Sequence, residues 1–164
     1  RLAYSDTPFG GDYGGRLLSG RVDLNVPGLF RSHSTWVHAA YEHQRPDTED
    51  RRPYRFASRV PFARGYDYTF HRRYRHFGVT YGVPLAYPDR NLVATLQVKR
   101  LQLHGFADIA QGGTSDYRSA GLETVADVAP FSWPLPLQVG VRYSHRLDGS
   151  GGQRWDALVT LAQI

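Results

Sequence analysis

The sequence predicts an all-β chain, an antiparallel up-and-down transmembrane β-barrel with seven to eight strands present. Three observations predict it. Apolar residues recur at every second position in seven separate stretches, the signature of strands with one apolar face. Those stretches run about 11–13 residues, where strands of soluble domains usually run 5 or 6. Their connections alternate between short, Pro-rich turns and longer polar loops, as in barrels with periplasmic turns and extracellular loops.

Each strand rests on its own alternation. In 16–26, Leu18, Val22, Leu24 and Val26 oppose Arg21, Asp23 and Asn25. In 31–43, Val37, Ala39 and Tyr41 oppose His38, Ala40 and Glu42. In 73–84, Phe77, Val79, Tyr81 and Val83 oppose His76, Gly78, Thr80 and Gly82. In 101–111, Leu101, Leu103, Gly105, Ala107 and Ile109 oppose Gln102, His104, Phe106 and Asp108. In 117–129, Leu122, Thr124, Ala126 and Val128 oppose Glu123 and Asp127. In 135–147, Leu135, Leu137, Val139, Val141 and Tyr143 oppose Gln138, Gly140, Arg142, Ser144 and Arg146. In 153–164, Trp155, Ala157, Val159 and Leu161 oppose Arg154, Asp156 and Thr160. Residues 1–5 are expected to end an eighth strand. Directions alternate down, up, down, up, down, up, down from 16–26 onward, which leaves the C-terminus periplasmic.

The connections sort onto two sides. "VPGL" (26–29) and "FSWPLP" (131–136) are short turns; 44–70, "GGTSD" (112–116) and "LDGSGGQ" (147–153) are polar loops. Residues 84–100 lie on the short-turn side but are long, and are expected to form a periplasmic excursion or a strand extension.

The 164 residues suffice for a single domain. Net charge is +5, from 20 Lys+Arg against 15 Asp+Glu, and Lys99 is the only lysine. The positive charge is therefore guanidinium, suited to fixed pairing with carboxylates or phosphates. The absence of Cys excludes disulfides, thiolate metal sites and a cysteine nucleophile. No run of 18 or more apolar residues predicts a transmembrane helix. The chain opens on Arg1 without a signal-peptide pattern and reads as mature or as a piece of something longer.

A soluble sandwich or lipocalin-like barrel would also alternate. The polar face, however, carries Arg142 and Arg146 on the strand next to Glu123 and Asp127. Lumen ion pairs among these charges suit a membrane barrel.

The long loop 44–70 divides in two. "RPDTEDRRP" fits a solvated surface segment. "ASRVPFARGYDYTF" instead interleaves Phe62, Tyr66, Tyr68 and Phe70 with Arg59 and Arg64. Four aromatics rarely stay solvated, because each exposes a large apolar area. Gly65 permits a tight turn behind Arg64. The segment is expected to fold into a barrel lumen with Arg64 at its tip, seeking a carboxylate.

"ARGYDY" (63–68) resembles the Arg-Gly-Phe/Tyr motif of the bacterial surface-antigen barrels, the BamA/TamA-type outer-membrane assembly and translocation proteins. The order downstream is similar: a strand (76–85), a connection (87–100), then "LQLHGFADIAQGG" (101–113) with Phe106 and Asp108 in the family's Phe-x-Asp positions. The resemblance covers about residues 57–164 and, because the family's barrels have more strands, implies that the chain is the C-terminal part of a larger barrel. It implies a lumen latch in which Arg64, Gly65 and Tyr66 meet Phe106, Asp108 and Glu123. It implies an outer-membrane protein, without catalytic residues or cofactor, that assists protein insertion or translocation. Its implied partners are outer-membrane lipid, lipopolysaccharide, client proteins and periplasmic domains of the same chain. The alternatives are a passive barrel anchoring a periplasmic domain, or a soluble β-domain binding an anionic ligand. The chain ends "ALVTLAQI" where such barrels commonly end in an aromatic residue.

Other constellations are weaker. His33, His38 and His43 recur every five residues, which alternates faces along a strand and keeps the three apart; no metal site is expected. Ser58, Ser144 and Ser150 lack a nucleophile-elbow context. "FHRRYRHF" (70–77) could sit on nucleic-acid phosphates, but at a strand mouth it suits lipopolysaccharide phosphates equally, and no nucleic-acid partner is expected. Trp155, Tyr143 and Tyr117 suit an interfacial aromatic girdle or ordinary core packing. Because seven or eight strands of a larger barrel would leave open edges in lipid, the chain is expected to need upstream strands, closure as a small barrel, or pairing with a second copy.

Overall fold

Period-2 alternation with β-branched and aromatic residues builds strands throughout. The computed structural model describes residues 2–6, 15–46, 57–88, 90–93, 96–130, 137–149 and 151–161. Within them the strands are β1 (Leu2–Asp6), β2 (Gly15–Pro27), β3 (Ser34–Pro46), β4 (Arg73–Ala86), β5 (Arg90–Val93), β6 (Leu96–Gly112), β7 (Ser115–Pro130), β8 (Leu137–Arg146) and β9 (Gln153–Leu161). No helix occurs among the described residues. All pairings are antiparallel, in the order β1-β2-β3-β4-β6-β7-β8-β9, with β5 hairpinned onto β6. The expected up-and-down ladder and the eighth N-terminal strand are both present. Among the described residues β1 pairs only with β2 and β9 only with β8, so the sheet is open.

Several bounds differ from expectation. Within 84–100 the strand-extension alternative holds: β6 begins at Leu96, and β5 folds back on it. The ladder between β4 and β6 shifts register at Pro84–Ala86, where Pro84 has no N–H to donate. The first turn lies at Gly28–His33 rather than 26–29, closed by Gly28 N donating to His33 O at 3.0 Å and His33 N to Phe30 O at 2.9 Å. Residues 112–116 form a tight connection rather than a longer loop, because Gly113 takes φ 61° and lets β6 turn directly into β7. The connection 131–136 and the acidic-basic stretch 47–56 lie outside the described residues.

The two faces of the sheet differ in kind. One face is covered by the loop 57–72. Here the backbone registers stack side chains into rows. His38, Gly78, Asp108, Ser119 and Arg146 form one row. Trp36, Thr80, Phe106, Gly121, Ser144 and Arg154 form the next, and Gly82, His104, Glu123, Arg142 and Asp156 the third. Between loop and sheet a small apolar cluster forms from Ala40, Val60, Ala63, Tyr74 and Ala110, flanked by Phe62, Tyr66 and Tyr117. The opposite face is apolar and open: Leu18, Val22, Leu24, Phe77, Ile109, Leu122, Val141 and Val159 are all exposed, Leu122 by 52% and Val159 by 71%.

Candidate functional site

Gly65 sets the loop's conformation. Its φ of 85° lies in the left-handed region, and a Cβ there would sit 2.7 Å from Ser144 Cβ. The turn it makes drives Arg64 down onto the covered face. Arg64 Nε donates to Asp108 Oδ2 at 2.7 Å, and Nη2 donates to Asp108 Oδ1 at 2.8 Å. The Arg64 backbone N donates to Oδ2 as well, at 3.0 Å. Nη1 reaches Glu123 Oε1 at 3.3 Å. Between these carboxylates the guanidinium lies 3.9 Å over the Phe106 ring. Arg64 thus spans from the Asp108 row to the Glu123 row across the Phe106 row. The Asp108 side chain has no solvent exposure and Arg64 only 13%.

Of the expected latch residues, Arg64, Phe106, Asp108 and Glu123 are brought together, with Gly65 at the turn behind them, whereas Tyr66 packs away from this group on Tyr117 and Arg146. Tyr66 OH donates to Arg118 O at 2.8 Å and accepts from Arg118 N at 3.3 Å. Burial, reinforced by nearby Asp148, pushes the Tyr66 hydroxyl up to about 12, so it stays a donor. Asp67, beside it, pairs with Arg154 of β9, which holds its carboxyl below the usual range.

The other lumen charges pair differently from expectation. Arg142 Nε does meet Glu123 Oε1, at 2.6 Å. Arg146 meets no carboxylate of β7: it donates to Gly65 O at 2.9 Å and lies 4.8 Å over the Tyr66 ring. Its row places it beside Ser119 and under the loop, out of line with Asp127. Asp127 instead accepts from Arg100 Nε at 2.7 Å and Gln138 Nε2 at 2.9 Å. Of the two places expected for Tyr117, a girdle or core packing, the second holds. It packs beneath the loop on Phe62 and Tyr66, while Tyr143 and Trp155 pair at 4.9 Å with Trp155 70% exposed.

Three contributors were not singled out from the sequence. Glu42 is 2% exposed and anchors the start of the described loop, accepting from Ser58 Oγ at 3.1 Å and Arg59 N at 2.9 Å. Tyr74 OH accepts from Ala63 N at 2.9 Å. Gly121 leaves room for Phe106, whose Cζ would lie 2.7 Å from a Cβ at that position. The polar-face position of Glu42 and the aromatic-arginine mixture around Tyr74 were visible, but cross-strand neighbours depend on register.

The histidines also arrange differently. The His33, His38 and His43 series stays apart, as spacing requires: His33 bonds Tyr81 OH at 2.6 Å, and His43 meets Arg45. His38 meets a residue of the next strand instead, with its ring 4.9 Å from that of His76.

No protein-family profile, curated protein or solved structure matches this chain. Its chemistry must be read from the geometry: a loop bound by charge to one face of a sheet whose other face is apolar.

Proposed function

We propose that this chain is the C-terminal region of an outer-membrane β-barrel of surface-antigen type, which helps proteins insert into or cross that membrane. The observation that carries the reading is the division of the sheet into an exposed apolar face and a polar face that buries Asp108, Glu123 and Asp127. A soluble sandwich would place these faces the other way round, with the apolar one inside. Lipid takes the place of that second sheet. β2, β3, β4, β6, β7 and β8 have 10–17 residues, and nine-residue β9 reaches the lower end of the length a tilted strand needs to span. The loop that carries Arg64 then lies in the lumen, with Asp108 and Glu123 as its seat.

A passive anchor is the second reading. It is favoured by the firmness of the plug, since the loop is tied to β3, β4, β6, β7, β8 and β9.

Extraction of the chain with and without detergent, followed by unheated and boiled samples on a gel, tests the membrane. A detergent-dependent species whose mobility shifts on boiling is expected; a monodisperse detergent-free protein would overturn the reading. Vesicles carrying the chain are then given an unfolded small outer-membrane barrel. Faster insertion than into vesicles without the chain supports assistance, and an unchanged rate leaves the anchor.

A further inference from the structure

His38 on β3, His76 on β4 and Asp108 on β6 converge on the covered face, with their ligand atoms all within 4.8 Å of one another. His38 Nε2 lies 3.7 Å and His76 Nε2 3.6 Å from Asp108 Oδ1. Both distances are too long for good hydrogen bonds. The His76 side chain is only 1% exposed, yet neither of its ring nitrogens has a hydrogen-bond partner. Buried imidazole nitrogens are normally satisfied, so this pair calls for an occupant.

The row explains how the three meet. His38, Gly78 and Asp108 are direct neighbours across β3, β4 and β6. A Cβ at Gly78 would fall inside contact distance of both His38 Nε2 and Asp108 Oδ1, so the glycine keeps the space between them clear. His76 enters from the adjacent row, its ring tilted 35° to that of His38.

We infer that His38, His76 and Asp108 form a divalent-metal site of zinc type. Two imidazoles and one carboxylate are a borderline donor set. Zinc bonds of about 2.0–2.2 Å place tetrahedral ligand atoms about 3.3–3.6 Å apart, close to the separations from Asp108 Oδ1. The carboxylate has a lone pair to give. Of its roughly four acceptor sites, Arg64 takes two at Oδ2 and one at Oδ1, leaving the remaining Oδ1 site for the metal. Arg64 is then a positioning residue that fixes the ligating carboxylate, as outer partners of metal ligands do. His38 is part-exposed at 16% and gives the ion a way in, while water fills the fourth position.

The site does not depend on the membrane reading. The test is calorimetric titration of Zn²⁺ into the whole chain, stripped with chelator and carrying no polyhistidine tag, in whichever medium keeps it folded. One Zn²⁺ per chain is expected, with visible ligand-field bands of a tetrahedral site when Co²⁺ replaces it. His38→Gln leaves the Arg64–Asp108 contact in place and is expected to weaken binding at least 10–100-fold, roughly the scale of losing even an outer-shell partner. His33→Gln, whose ring is spent on Tyr81, is expected to bind as the parent does. Absence of saturable uptake by the folded chain, or equal uptake by the His38→Gln and His76→Gln variants, would overturn the assignment.

Discussion

Arg64 and Asp108 meet through three donors on one carboxylate, two from the guanidinium and one from the Arg64 backbone, across 44 residues of sequence. The side-chain part is a fork-to-fork pair that a lysine cannot reproduce. Because Asp108 is fully enclosed, the loop and the sheet share one electrostatic unit.

Removing the guanidinium leaves that carboxylate buried without its fixed positive partner. Arg64→Ala is expected to destabilise the folded chain by about 3–5 kcal/mol. Arg64→Lys should fall between, since a point charge recovers one contact. Urea unfolding of the two variants checks both values, and equal stability of Arg64→Ala and the parent would refute the latch.

Gly65 is the second point of failure. Gly65→Ala places a side chain at φ 85° and against Ser144 Cβ, and should cost about 1–3 kcal/mol for the backbone alone. Adding Ser144→Gly removes the steric contact and leaves the backbone cost, so the double variant should recover part of the loss. Full recovery would mean that the backbone conformation carries no strain.

The open face distinguishes lipid from water. Leu122→Arg should cost about 2–4 kcal/mol if that position faces the membrane midplane. On a face bathed in water the same change should stay within about 0.5 kcal/mol. Unfolding in vesicles and in detergent-free buffer separates the two.

His71 gives the loop a pH dependence. Its ring stacks on Phe62 at 7° and its Nε2 meets Tyr117 OH at 2.8 Å, and burial lowers its pKa from 6.5. The unfolded chain therefore takes up this proton at a higher pH than the folded one. The contribution is fully present above about pH 6.5 and is lost as pH falls through the window beneath it. In His71→Phe this part of the acid loss should vanish, which the thermal midpoints of parent and variant at pH 7.5 and pH 5 would show.

Much of the ladder was legible because alternation is local. Leu122 beside Glu123, or Ile109 beside Asp108, announces two faces without any knowledge of the partner strand. Arg64 was legible as a cation needing an anion, and Asp108 and Glu123 as anions on the matching face. What alternation cannot carry is register. Arg146 and Asp127 lie on the same face but eight residues out of step, so the expected pair does not form. The convergence of His38 with His76 is likewise a cross-strand relation, invisible to spacing within one strand. The use of Gly78 and Gly121 is cross-strand as well: Gly78 leaves room for His38 and Asp108, and Gly121 for Phe106.

The loop's ties also impose an order of events. Arg146 donates to Gly65 from 81 residues downstream, and Arg154 reaches Asp67 from 87. Such distant partners are slow to find, and here they do not exist until β8 and β9 are in place. The seat on β6 and β7 can form earlier, but the loop is closed over only when the last hairpin arrives. Pulse-labelled hydrogen exchange would time this at the Arg64 amide, which is spent on Asp108. Full protection there before the β8–β9 amides are protected would contradict the sequence of steps. A loop seated last is a record, written upstream in the sequence, that β8 and β9 have finished folding.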